Sequence, residues 1–304
     1  MRIFYTDQFV LPLPPGHRFP MAKYARVRER VVAAGFGDMH VPDAATPEQL
    51  ALAHDPAYVA RVREGRLSDA ELRDIGFPWS PAMVERSLRS TGATISACRA
   101  ALVDGVSVNL AGGTHHAYRD RGSGYCVFND AAVAARVVQA ERRIERALIV
   151  DLDVHQGDGT AAILADDPTI FTFSIHGARN YPFKKQQSDL DIALPDRTGD
   201  ADYLAALEAG LAEAMSRARA DLAIYLAGAD PYEGDRIGRL ALTRDGLARR
   251  DHLVLATCRR AGLPVAVAMA GGYARELDDV VAIHLRTVEI AAEVAGVVQA
   301  TPRP

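Results

Sequence analysis

Five short apolar runs in the second two-thirds of the chain limit what it can fold into: Val106–Leu110, Ala147–Val150, Thr169–Ile175, Leu222–Ala227 and Val265–Ala270. None alternates cleanly between apolar and polar residues, so each suits a strand covered on both faces, as in a parallel sheet. Helical patterns separate them, over Pro81–Val103, Val127–Gln139, Ala201–Ala218, Thr243–Ala261 and Leu277–Val298. The N-terminal part reads as a strand over Arg2–Tyr5, an irregular Pro/Gly-rich stretch, a helix over Met21–Ala34, and short helical pieces between Pro42 and Trp79. Long loops are expected over Ala111–Cys126 and His176–Asp191. Strand–helix alternation without a linker or repeat predicts an α/β fold, a mainly parallel sheet layered between helices, in a single domain over residues 1–304.

Each run ends in a loop that carries glycine and a chemically capable side chain. After VSVNL come Gly112, Gly113, His115 and His116; after ALIV comes DLDVHQGDG; after TIFTFS come His176, Asn180 and Tyr181. LAIYLA leads to Gly228 and Asp230, and VAVAMA to Gly271, Gly272 and Tyr273. Parallel strands deliver these loops to one sheet edge, where open α/β sheets bind ligands.

Asp153 and His155 are two residues apart, so in extended chain their side chains converge. Asp230 supplies a third donor. An Asp/His/Asp set with open positions suits catalytic Zn²⁺ or Fe²⁺. Asp151 shares the strand-end parity, as a further ligand or as the partner of a neighbour. Taken singly, these acids have a plainer reading as turn or cap residues, and their common edge is what favours a metal. His115 and His116 are acid–base candidates, with Asp151 and Asp158 as spare carboxylates to orient them. Tyr273 could donate its phenol to a developing oxyanion. A metal, a histidine pair and a phenol are best equipped for amide hydrolysis.

Composition narrows the setting. A formal charge of -4 gives no reason to expect nucleic acid or an anionic membrane as partner. The clusters Arg26–Arg30, Arg142–Arg146 and Arg249–Arg250 fall in helical patterns and read as solvated faces. Cys98, Cys126 and Cys258 are odd in number and widely spaced, which suits a reducing compartment. With neither a signal-like N-terminus nor a spanning apolar run, the expected location is the cytoplasm of a bacterial cell.

Taken together, LAGGTHHAYRDRGSGYCVFND, DLDVHQGDGT, SIHGARNYPF, LAGADPYEGD and AGGY resemble the histone deacetylase superfamily, and HRFPMAKY adds a weaker match. AGGY and NYPF resemble its class IV, deacetylase 11-like branch and bacterial relatives. The resemblance implies the arginase/deacetylase fold, a three-layer α/β/α domain with an eight-stranded sheet, and a zinc-dependent lysine deacylase. It implies zinc on Asp153, His155 and Asp230. His116 becomes the general base and acid and His115 its electrostatic support, with Asp151 and Asp158 bonded to them, and Tyr273 the oxyanion donor. Gly124, Tyr125 and Tyr181 would line the acyl-lysine channel, with Gly271 and Gly272 beside it. Arg18 would match the arginine lining an acetate exit. Asp151, Asp153, His155, Ser174 and Ile175 would form a structural potassium site. No acid between Ser68 and Trp79 clearly matches the one that binds substrate backbone. Substrates on this reading are acyl-lysine proteins or peptides; a small acylated amine of the acetylpolyamine kind is the alternative, and a non-catalytic acyl-lysine-binding module a more distant one.

Overall fold

In the computed structural model, which describes residues 1–36 and 38–296, the apolar runs become the centre of one sheet. The strands are β1 (Arg2–Phe4), β2 (Asp38–His40), β3 (Val106–Asn109), β4 (Ala147–Asp151), β5 (Ile170–Gly177), β6 (Leu190–Leu194), β7 (Leu222–Ala227) and β8 (Val265–Met269). Their order is β2-β1-β3-β8-β7-β4-β5-β6, and every neighbouring pair is parallel. The helices are α1 (Ala22–Ala33), α2 (Pro47–Leu50), α3 (Pro56–Glu64), α4 (Asp69–Ile75), α5 (Pro81–Asp104), α6 (Asp130–Ala140), α7 (Asp158–Leu164), α8 (Asp200–Ala218), α9 (Arg244–Arg260) and α10 (Leu277–Ala295). The fold is the expected eight-stranded, three-layer α/β/α architecture in one domain.

The lack of alternation in the strands has a direct cause. In β4, Leu148 and Val150 join a core with α1, α8, α9 and α10, while Ala147 and Ile149 join a second core with α2, α3, α5 and α6. In β8, Val265, Val267 and Met269 face the first core and Ala266 and Ala268 the second. Small side chains on that second face let α5 pack close to the sheet. No helix among the described residues is long and apolar enough to cross a membrane.

Two strands were not expected. β2 is a three-residue, partly exposed edge with no apolar run, formed by parallel pairing to β1. β6 lies where a loop was expected to continue to Asp191; it pairs only with β5, and its residues are mostly half-exposed. Edge strands gain stability from backbone pairing on one side, which leaves little hydrophobic signature. The helix expected from Val127 begins at Asp130, because the Asn129 side chain caps it by accepting from the Ala132 amide. The expected final helix ends at Ala295; its remaining positions, Val297 and Val298, lie outside the described residues.

His54 ties three segments around the loop that follows β3. Its Nε2 accepts from the Asn129 amide at 2.9 Å, so Nδ1 carries the proton and donates to the Tyr118 carbonyl at 2.9 Å. Burial pushes its pKa down to about 4. The unfolded chain binds this proton below about pH 6.5, while the native state refuses it until about 4. Stability is therefore lost as pH falls through that window, by roughly 3 kcal/mol at its lower end. Urea midpoints measured from pH 7 to 4 should fall more steeply in the wild type than in His54→Asn. Parallel curves for the two proteins would exclude His54 as the source.

Candidate active site

The carboxyl ends of the four central strands, β3, β8, β7 and β4, carry the chemically capable loops side by side. Beyond β4, Asp153 Oδ1 accepts from the His155 amide and stands 2.9 Å from His155 Nδ1. Asp230, from the loop after the adjacent β7, accepts from the Val154 amide through Oδ1 at 2.9 Å. Its Oδ2 lies 3.4 Å from His155 Nδ1 and, fully buried, has no hydrogen-bond partner. One donor atom from each of Asp153, His155 and Asp230 lies within 4.8 Å of the others, and all three residues are buried.

Electrostatics shows what this cluster wants. Burial opposes charge on His155, yet Asp153 and Asp230 outweigh it and draw its pKa up to about 10. Burial, and then the Asp153 charge, raise Asp230 to about 7. Two buried carboxylates around one imidazole thus demand positive charge, and a borderline divalent ion meets that demand with O/N/O donors. The orphaned Asp230 Oδ2 and this donor set fit Zn²⁺ or Fe²⁺.

Backbone fixes the set from two sides. The Gly271 amide donates to Asp153 Oδ2 at 2.8 Å. From behind, buried Arg250 of α9 donates through one nitrogen to the Gly228 carbonyl at 2.6 Å and the Leu152 carbonyl at 3.2 Å. Those carbonyls belong to the loops that carry Asp230 and Asp153.

The histidine pair sits beside this centre on the loop after β3. His115 Nδ1 lies 2.7 Å from Asp151 Oδ2, and His116 Nδ1 lies 2.6 Å from Asp158 Oδ1. Asp151 is thus placed to orient a neighbour, the second of the two roles its parity allows. The Tyr118 hydroxyl donates to the other Asp158 oxygen at 2.8 Å. With each Nδ1–H given to a carboxylate, the two Nε2 atoms face each other at 3.1 Å. Burial disfavours a charged His115, but Asp151 and Asp153 lift it to about 9. Burial and then the His115 charge push His116 down to about 4. His116 is therefore neutral, with Nδ1 protonated and Nε2 an acceptor, which faces the Nε2–H of His115.

A cavity of about 570 Å³ opens over these groups. Gly124 has φ +52°, and a Cβ there would lie 2.7 Å from the His116 ring. Tyr181 meets His116 edge-on at 5.0 Å between ring centroids, and its hydroxyl hydrogen-bonds Ser123. Tyr125 stands 6.1 Å from the ring of Tyr273. The Tyr273 amide donates to Asp235 at 2.6 Å. Burial, with Tyr24, Asp230 and Asp153 nearby, raises its phenol well above 10, so it stays a proton donor. Gly271 and Gly272 lead into it, and Gly271 lines the cavity. Under the metal residues, the β4–β5 register sets Ser174 beside Asp151, and Ser174 Oγ is 3.0 Å from His176 Nδ1.

Among the cavity residues, Lys23 and Arg86 escaped sequence reasoning, and Asp74 is one of the few acids the sequence offers near the rim. Asp74 falls in the stretch read as lacking a matching acid, yet it lines the cavity mouth, and its carbonyl accepts from the Gly124 amide at 2.9 Å. Lys23 and Arg86 sit on α1 and α5 and line the cavity. A cation in an amphipathic pattern reads as surface, and only the packing of α1, against α10, sets Lys23 on the Ala270 carbonyl. Arg18 lines the cavity as an exposed residue.

A histone deacetylase domain model matches residues 17–288. An uncharacterized protein of Picosynechococcus sp. is 45% identical over 285 residues, covering 93% of this chain and 95% of that one. The polyamine deacetylase HDAC10 of Homo sapiens is 31% identical over 75% of this chain, which spans only 38% of that protein. The crystal structure of an HDAC homolog from Aquifex aeolicus superposes with a TM-score of 0.83 at 22% identity, covering 97% of this chain and 84% of that one. With a family model spanning nearly the whole described chain and the same architecture around it, this protein belongs to the histone deacetylase family.

Proposed function

We propose that this protein is a zinc-dependent deacylase that hydrolyses the Nε-acyl amide of lysine in proteins or peptides, in the class IV-like branch that AGGY and NYPF resemble. The observation that carries the reading is the buried Asp153/His155/Asp230 set beside a neutral His116, whose Nδ1 is held by Asp158 and whose ring lies 5.7 Å from that of His155. Those three residues would hold the ion, Zn²⁺ or alternatively Fe²⁺, which when bound supplies Lewis acidity at the acyl carbonyl and makes water acidic enough to react near neutral pH. His116 Nε2 takes the proton of the attacking water and passes it to the departing lysine nitrogen. His115, charged against Asp151, stabilises negative charge as it develops. The Tyr273 phenol donates to the carbonyl oxygen as it becomes an oxyanion, a contribution of about 10²–10³-fold for a donor of this kind. Gly124, Tyr125 and Tyr181 admit the extended lysine stem and exclude bulkier groups. Asp151, Asp153, His155, Ser174 and Ile175 form the potassium site on resemblance alone. The setting is cytoplasmic, in keeping with three free, buried cysteines.

The alternative substrate is a small acylated polyamine, which the 31% identity to a polyamine deacetylase favours. The cavity mouth argues the other way. Arg18, Arg73, Arg179 and Arg239 line it against Asp74, and Arg179 and Arg239 share Asp196. A second ammonium on the substrate meets a cationic rim. For the zinc-loaded protein, kcat/KM on an acetyl-lysine peptide should exceed that on acetylspermidine by about tenfold or more, the cost of one unfavourable charge contact. The reverse order would make the polyamine reading the better one, and turnover of neither would remove the hydrolase.

A further inference from the structure

Two buried cations that line the cavity have no anionic partner among the described residues. Lys23 is 2% exposed, and its Nζ makes one hydrogen bond, donating to the Ala270 carbonyl at 3.1 Å. The rings of Tyr24, Tyr273 and Phe19 surround it at 5.2, 5.7 and 5.9 Å. Arg86 is 8% exposed, and its guanidinium carbon lies 4.9 Å from the Tyr24 ring and 5.3 Å from the Phe19 ring. The same two rings therefore carry both positive charges.

Among the described residues, neither cation has a carboxylate within 4.0 Å, and the Arg86 guanidinium makes no hydrogen bond. Asp130, buried behind Gly113 and Thr114, is already committed to Thr94, Gly113 and Thr114. Two like charges stacked on the same rings in a cavity wall favour an anion between them. Aromatic faces reduce the cost of their burial without supplying the anion.

Their position says what the anion belongs to. Lys23 bonds the residue immediately before Gly271, whose amide holds Asp153. Lys23 Nζ is also 5.7 Å from the Tyr273 ring, so the subsite adjoins the carbonyl-activating centre and lines the same cavity. An acyl group whose carbonyl meets Tyr273 would bring the far end of its chain towards these cations.

We propose that Lys23 and Arg86 form a carboxylate subsite for the far end of the acyl chain, and that the preferred substrates are lysines carrying a short dicarboxylic acyl group such as succinyl or glutaryl. This rests on the hydrolase reading above. Water's oxygen bonds to the acyl carbon, the C–N bond breaks, and the lysine nitrogen takes the proton, releasing the dicarboxylate and free lysine. Guanidinium and ammonium together match a carboxylate through charge-assisted hydrogen bonds.

The test uses the zinc-loaded full chain and one peptide carrying acetyl-, butyryl-, succinyl- or glutaryl-lysine. A succinyl or glutaryl peptide should surpass the butyryl peptide in kcat/KM by about tenfold or more, the effect of one charge-assisted hydrogen bond. Lys23→Met and Arg86→Met should each lower the succinyl-to-acetyl ratio by a similar factor, with melting curves checking that each variant is folded. Lys23→Arg should restore the ratio. Free glutarate should raise the melting temperature of the wild type and leave that of Lys23→Met unmoved. Turnover of acetyl and butyryl peptides with no preference for the acidic chains overturns the inference and spares the hydrolase. A ratio that neither Met variant moves also overturns it, since the cations would then serve only a departing carboxylate. Turnover of no peptide removes the hydrolase reading and this inference with it.

Discussion

Replacing His116 with alanine should lower kcat on an acetyl-lysine peptide by about 10³-fold, within the range measured for loss of a general acid–base group. The geometry makes His116 the residue to remove. Its Nδ1 is fixed 2.6 Å from Asp158, which leaves Nε2 as the acceptor, and burial with the His115 charge keeps the ring neutral. His115 is the opposite case, lifted to about 9 by Asp151 and Asp153, so it cannot take over as base. The substitution removes an edge contact to the His155 ring but no hydrogen bond to Asp153, His155 or Asp230, and Asp158 keeps its bond from Tyr118. Metal content by elemental analysis should therefore stay at the wild-type level while kcat collapses. Persistent turnover with His116 gone would take the proton transfer away from this residue.

A single methyl group should be nearly as damaging at Gly271. A Cβ there would stand 1.8 Å from Asp230 Oδ2 and 2.6 Å from Asp153 Oδ2, closer than atoms can approach. Neither carboxylate is free to retreat. Asp230 holds the Val154 amide, and Asp153 holds the Gly271 amide itself. Gly271→Ala should cut bound divalent metal from about one ion per chain to almost none, with a loss of roughly 1–3 kcal/mol in stability from overpacking. Metal titration and a urea melt measure the two effects. A variant that loads a full ion would mean that the ion is held elsewhere.

How much of this was legible in the sequence depended on whether burial left a pattern. Ala147–Val150 and Val265–Ala270 are covered on both faces, so they stand out as uninterrupted apolar runs. Leu190–Leu194 and Asp38–His40 sit at the sheet edges, are held by pairing on one side, and left no comparable trace. Asp153 and His155 were readable as a pair because two-residue spacing is a local property. That Asp230 joins them follows from β7 lying next to β4, which is set by the whole topology. Lys23 and Arg86 were invisible for the same reason, since a helix sequence does not say which of its cations will face a cavity. Spacing and strand ends supplied Asp153, His155, Asp230, the histidine pair and Tyr273; the resemblance supplied the strand count, the individual roles, and Gly124, Tyr125, Ser174 and Ile175.

Arg250 makes the cleft depend on a residue that nothing entering it touches. One flat, rigid group bridges the carbonyls of Leu152 and Gly228, so the gap between the two acid-bearing turns is gauged from the far side of the sheet. Widening or narrowing that gap means breaking a bond to the guanidinium. The width of the cradle, and with it the size of cation it suits, is thus written into helix α9 as firmly as into the ligands.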